Sequence, residues 1–198
     1  MPNLRHLGMV ALVAGALVLP AISLADDAMP AGAKGDMMKW YKDAEDKLTQ
    51  LAEAVPEAKY SWRPGKGVRS VGEVYMHVAA ANFGIPSFMG AAPPTGFDFA
   101  TYEKSLTKKA DIQKALKDSF AHMEQAFMAV SDADMDKPVS IMGMEMSQRS
   151  AYLLILSHVH EHLGQSIAYA RSNGVVPPWS AKQAAEMKEG AEKAKDKK

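Results

Sequence analysis

The chain contains no cysteine. That absence excludes disulfides, zinc–thiolate sites, iron–sulfur clusters, a cysteine nucleophile and a lipid-modified N-terminal cysteine. An excess of one charge is missing too, since 23 basic side chains balance 23 acidic ones. With no basic block in the central region, nucleic acid is not an expected partner. No stretch alternates with strand period for long enough to build a sheet, and no internal repeat recurs. What is present is 47% apolar residues in 198 positions, enough for the core of one folded domain. Chemistry must then come from histidine, carboxylates, hydroxyls or a bound metal.

Residues 1–25 read as a signal peptide. Arg5 precedes the apolar run Leu7–Leu19, Pro20 breaks it, and Ser23-Leu24-Ala25 places small residues around a cleavage site. The run of 13 residues falls short of the roughly 20 that span a bilayer. No membrane anchor is therefore expected after cleavage, and the expected location is periplasmic or secreted. Losing Arg5 leaves 22 basic against 23 acidic residues, a charge near −1.

The remainder reads as four amphipathic helices between turn-rich connections. Residues 26–35 are small and polar, a flexible lead. Met37, Tyr41, Ala44, Leu48, Leu51 and Val55 recur at helical spacing before Pro56. Ser70-Val-Gly-Glu73 is a capping box that opens a second helix with Val71, Val74, Val78 and Ala81 on its buried side. A long Gly- and Pro-rich connection follows, of the length that often borders a site. A third helix spans about Lys109–Val130. A connection with a short hairpin near Met142–Glu145 leads into a fourth helix of about Ser147–Asn173, stopped by Gly174 and Pro177-Pro178. The expected fold is all-α, an antiparallel four-helix bundle over residues 36–180, with a short polar helical tail over 181–198.

His158 and His162 are four apart on the fourth helix, so their side chains lie about 5–6 Å apart on one face. They share a core-facing stripe with Ala151, Leu154, Ile155, Gln165 and Tyr169. His77 sits on the inner face of the second helix. Three imidazoles aimed into a bundle suit a divalent metal with coordination positions left open. The plainer reading is three partly buried histidines, each with its own hydrogen-bond partner. His160 lies roughly 200° around the helix from His158 and faces elsewhere.

Four segments carry a family likeness: Trp62-Arg-Pro-Gly65, Arg69-Ser-Val-Gly-Glu-Val-Tyr-Met-His77, His158-Val-His-Glu-His162-Leu-Gly-Gln165 and Tyr169-Ala-Arg-Ser-Asn-Gly174 with its following Val-Val-Pro-Pro178. Together they resemble the DinB-like superfamily, described alongside bacillithiol transferases and mycothiol-dependent isomerases, over roughly residues 36–180. The resemblance implies a four-helix bundle whose histidines bind a divalent metal: zinc, nickel, iron or manganese. Carried onto this chain, the ligands are His77, His158 and His162. The resemblance further implies transfer or isomerisation that uses cytosolic low-molecular-weight thiols, with the metal activating the thiolate.

Other features are weighed against plainer roles. Residues 158–162 also fit H-x-x-E-H, an inverted zinc-peptidase motif. That motif needs a distal carboxylate ligand and a larger fold, and Glu161 points about 100° from His162. Met142, Met144 and Met146 alternate as Cu(I) ligands can, but flexible filling explains them without a second soft cluster. His122 is read as a helix-packing or surface residue, and Trp62 and Trp179 as loop anchors. Glu73 belongs to the cap. Gln165, one turn beyond His162, is placed to hydrogen-bond a ligand, with packing as its alternative role.

Two function classes follow. One is a metal-dependent hydrolase or transferase acting on a small molecule of unknown structure. The other is a non-catalytic bundle that binds a metal or small ligand. No ionisable side chain besides the ligands is expected on the inner face, and no general base can be named. A homodimer is left open as the assembly.

Overall fold

The computed structural model describes residues 29–195. The signal-peptide reading falls outside them. Six α-helices and one hairpin follow in order: α1 Gly32–Ala54, α2 Val71–Gly84, α3 Phe99–Tyr102, α4 Lys109–Ala129, β1 Pro138–Ile141, β2 Met144–Ser147, α5 Gln148–Ser172 and α6 Pro178–Lys195. The expected all-α bundle forms from α1, α2, α4 and α5.

Each bundle helix has a sequence reason for its position. In α1 the buried residues Met38, Tyr41, Ala44, Leu48 and Leu51 recur every three or four positions, which is one face of a helix. The buried stripe of α4 runs Ile112, Leu116, Phe120, Met123 and Phe127. Phe120 is fully buried and packs edge-on against Tyr41 at 5.5 Å between ring centroids. Truncating it to alanine should cost about 3–5 kcal/mol. Helix α2 differs: it is buried almost all round, and only Glu73 and His77 are partly open. Helices of that kind need cover on every side. The capping box at its start is present in full, with Ser70 Oγ accepting from Glu73 N and Glu73 accepting from Ser70 N.

Two helices run each way. Helix α1 is antiparallel to α4, since Lys42 pairs with Glu124 while Lys109 donates to the Glu53 and Val55 carbonyls. Helix α2 is antiparallel to α5, yet it runs parallel to α4, with Gly72 beside Ile112 and Phe83 beside His122. A parallel neighbour requires the intervening chain to travel back along the bundle, about 21 Å for a helix of this length. Residues 85–108 are that crossover, which explains the long connection. They fold back through a 3-10 turn at Ile85–Met89 and the short helix α3. Phe97, Phe99 and Tyr102 form an aromatic cluster with Phe83 on α2. Gly84 makes room for the Phe99 ring, which a Cβ there would strike.

Several local expectations shift. Helix α1 begins at Gly32, so part of the anticipated flexible lead is helical, and Lys34 donates to the Met128 and Val130 carbonyls. The buried stripe of α5 is carried by Ala151, Tyr152, Ile155, Val159, His162, Leu163, Ser166, Tyr169 and Ala170, while Leu154 is 36% exposed. The stripe therefore differs from the expected one: Leu154 lies outside it and Tyr152 packs on Phe127 of α4, which leaves His158 at its edge. The hairpin loop is Met142–Gly143, both with positive φ (49° and 83°), as a type I′ turn requires. Met142 and Met144 are exposed and only Met146 packs on the core, so filling accounts for one of the three. Pro178 ends the break after α5 and also starts α6, at the first-turn position where proline is tolerated. Helix α6 buries no residue, although Trp179 at its start rests on the core.

Candidate metal centre

The bundle brings His77 of α2 against His158 and His162 of α5. One ligand nitrogen from each lies within 4.8 Å of the other two. His77 Nε2 and His158 Nε2 are 3.0 Å apart, and the three ring centroids are separated by 4.4–5.0 Å. Antiparallel packing of α2 and α5 makes this possible: one ring from α2 enters between two rings one turn apart on α5. His162 is buried, and the other two are half-buried.

The outer nitrogens are held unequally. His162 Nδ1 bonds Gln165 Oε1 at 2.8 Å, and Gln165 Nε2 donates to Tyr169 Oη at 3.0 Å. Tyr169 packs edge-on against Trp62 at 5.3 Å, so the loop after α1 braces the same chain of contacts. His77 Nδ1 lies 3.0 Å from Glu103 Oε2. His158 Nδ1 is buried with no partner among the described residues. With Nδ1 engaged, His77 and His162 each have Nε2 left to coordinate.

Glu103 overturns the expectation that no ionisable group besides the ligands would reach the inner face. It arrives from the crossover just after α3, and no periodicity links residue 103 to a helix face. Arg69 Nε donates to its other carboxylate oxygen at 2.8 Å. The only sequence hint was the length of the connection that carries it.

Electrostatics favour the uncharged form of His77 and His158. Burial, then the nearby His162, His77 and Arg69, pushes His158 down to about 3. Burial and the Arg69 charge also lower His77, against a smaller opposing pull from Glu103. Burial alone would raise the Glu103 carboxyl, but the Arg69 hydrogen bond and charge, with His77, bring it below the usual carboxylate range. Three imidazole nitrogen donors form a set that suits a borderline divalent cation and leaves coordination positions free. The residues present therefore fit a metal.

Beside the histidines lies an open cleft of about 500 Å³ lined by Arg63, Val68, Arg69, Glu73, Glu103, Lys104 and Gln165. Its walls are polar and charged. The remaining histidines stay outside the centre. His160 Nδ1 donates to the Leu156 carbonyl at 3.0 Å. His122 packs against Phe83 at 5.3 Å, between α2 and α4. Glu161 is not among the grouped ligands, and Glu73 serves the cap while pairing with Arg63.

Fold and site together define a helical-bundle protein in which three converging histidines could hold a metal ion. Residues 41–166 match the DinB superfamily, and the chain belongs to it. Among solved structures it is similar to a DinB-like protein from Bacillus cereus, at 16% identity and a TM-score of 0.64, covering 74% of this chain and 95% of that one. It is also similar to YfiT from Bacillus subtilis, described as a probable metal-dependent hydrolase with an unusual four-helix bundle topology. There the identity is 13% and the TM-score 0.59, covering 76% of this chain and 93% of that one. The mycothiol-dependent maleylpyruvate isomerase shares the fold at 13% identity and a TM-score of 0.54, over 66% of this chain and 59% of that one. No curated protein matches the sequence.

Proposed function

We propose that this protein is an exported metal-dependent hydrolase or transferase acting on a small molecule, with His77, His158 and His162 as the ligands of a divalent cation. Zinc, nickel, iron and manganese are the candidate ions. The observation that carries the reading is the convergence of three imidazoles at the side of an open, charged cleft. A cation held there would supply Lewis acidity to a substrate oxygen or sulfur, or to water.

The chain's own residues supply the rest. Gln165 orients His162 from the next turn of α5. Arg63 and Arg69 are paired with Glu73 and Glu103 along the cleft, and Lys104 adds a further positive charge there, so that a polar part of a substrate would be aligned by these groups. A purely holding role, the alternative, would suit a pocket filled by methionine and phenylalanine, and this cleft is polar. The signal-peptide reading of residues 1–25 supports export, away from cytosolic low-molecular-weight thiols, and so favours hydrolysis over thiol transfer.

The test is a screen of metal-loaded protein against ester, phosphoester, amide and thiol-conjugation substrates, with His162→Ala as the control. Turnover that needs the metal and disappears in the variant supports the proposal. Turnover that persists in the variant, or failure of wild type to bind any of the four ions, refutes it. N-terminal sequencing from the native host should find a chain starting at Asp26. An intact Met1 on cytosolic protein would rule out export.

A further inference from the structure

We propose that Glu103 is the positioning residue of His77, holding that imidazole in the tautomer and orientation that a divalent cation requires. The inference rests on the metal reading above and extends it to the crossover between α2 and α4.

The three histidines differ in who holds their outer nitrogen. Gln165, a neutral amide on the same helix, holds His162. Nothing among the described residues holds His158. Glu103 holds His77 from 26 residues away, at 3.0 Å. A carboxylate can only accept, so the proton shared with it must sit on His77 Nδ1, and Nε2 is left bare toward His158 and His162. Charge-assisted bonds are roughly twice as strong as neutral ones, and a carboxylate behind an imidazole also raises its basicity toward a metal.

Glu103 cannot swing away freely. Its second oxygen is fixed by Arg69 Nε at 2.8 Å, and the preceding Tyr102 is packed against Phe83 and Phe97. Asp98 caps the turn of α3 by accepting from Ala100 N and Thr101 Oγ1. The pair Arg69–Glu103 thus joins the start of α2 to the crossover directly beside the ligand. Two histidines stand on α5, whereas the outer partner of the third arrives only when residues 97–103 dock on Phe83.

The experiment compares wild type with Glu103→Ala and Glu103→Gln. Zinc affinity is measured by competition with a chromophoric chelator. The His77 tautomer is read in metal-free protein by long-range proton–nitrogen NMR, and folding is followed by thermal unfolding without metal. Losing an outer-shell partner of this kind typically weakens metal binding about 10–100-fold, and Glu103→Ala should do so with loss of the Nδ1–H signature of His77. Glu103→Gln keeps an acceptor oxygen without the charge. It should retain the tautomer and recover most of the affinity, remaining about three- to tenfold below wild type. Should the alanine variant fail to fold, the glutamine variant alone decides: zinc affinity equal to wild type overturns the proposal. So does an alanine variant with unchanged affinity and an unchanged His77 tautomer. Wild type that binds no zinc, nickel, iron or manganese would instead sink the metal reading itself.

Discussion

Replacing His158 by leucine removes a half-buried imidazole whose Nδ1 has no partner among the described residues and puts an apolar side chain of similar size in its place. An unsatisfied buried polar group costs about 1–3 kcal/mol. Loss of the 3.0 Å contact between His158 Nε2 and His77 Nε2 offsets part of that gain, so the metal-free variant should exceed wild type by no more than about 1 kcal/mol near neutral pH. Acid should widen the gap. The folded-state pKa of His158 is pushed down to about 3 from an ordinary 6.5, so between those values the unfolded chain takes up a proton that the folded chain refuses. Stability from this group is present above pH 6.5 and is lost as pH falls below it. At pH 5.5 the full linkage is about 1.4 kcal/mol, and partial solvent access reduces it to about half that. Metal should reverse the order. Zinc at 100 times its Kd stabilises wild type by about 2.7 kcal/mol, while a variant with two ligands gains little. Urea unfolding at pH 7.5 and 5.5, with chelator and with zinc, measures all four quantities. A variant less stable than wild type in chelator at pH 5.5, or equally stabilised by zinc, would refute the reasoning.

Replacing His162 by alanine should abolish divalent-metal occupancy, whereas His160→Ala and His122→Ala should leave it near wild type; elemental analysis of purified protein reads the difference. Equal loss from His160→Ala would mean that the helical register of the site is wrong. Burial, then the hydrogen-bonded Glu124, raises Glu45 up to about 8. Because the folded pKa is raised, stability is lost as pH climbs from about 4.5 through 8. Glu45→Gln should therefore become more stable than wild type as pH rises to 9, with no advantage below pH 5, by chemical denaturation. Deleting residues 181–198 should change stability by no more than about 0.5 kcal/mol, because residues 181–195 are all exposed. A drop of several degrees in Tm would show that the tail packs on the bundle.

Much of this protein was legible in the sequence because it depends on local rules. Apolar spacing located α1, α4 and α5 to within a few residues, and Ser70 with Glu73 marked the start of α2 through a cap that needs only four consecutive residues. His158 and His162 could be paired from sequence because four residues make one helical turn, whatever the rest of the chain does. Joining His77 to them was stated through the family resemblance and through its place on an apolar face. The three rings do converge.

Tertiary structure alone decided the remainder. Periodicity cannot say which neighbour a helix chooses, and the parallel pairing of α2 with α4 follows from how the two buried faces pack together. That pairing forces a crossover along the bundle, and the crossover delivers Glu103 to His77. Residue 103 obeys no helical repeat with respect to residue 77, so its carboxylate was invisible until the chain was folded. The make-up of the α5 stripe is likewise a packing outcome: Tyr152 and Val159 fill the interior while Leu154 turns outward. Short-range hydrogen bonding and side-chain spacing are written residue by residue. Contacts across tens of residues arise only from the competition among apolar faces for one core.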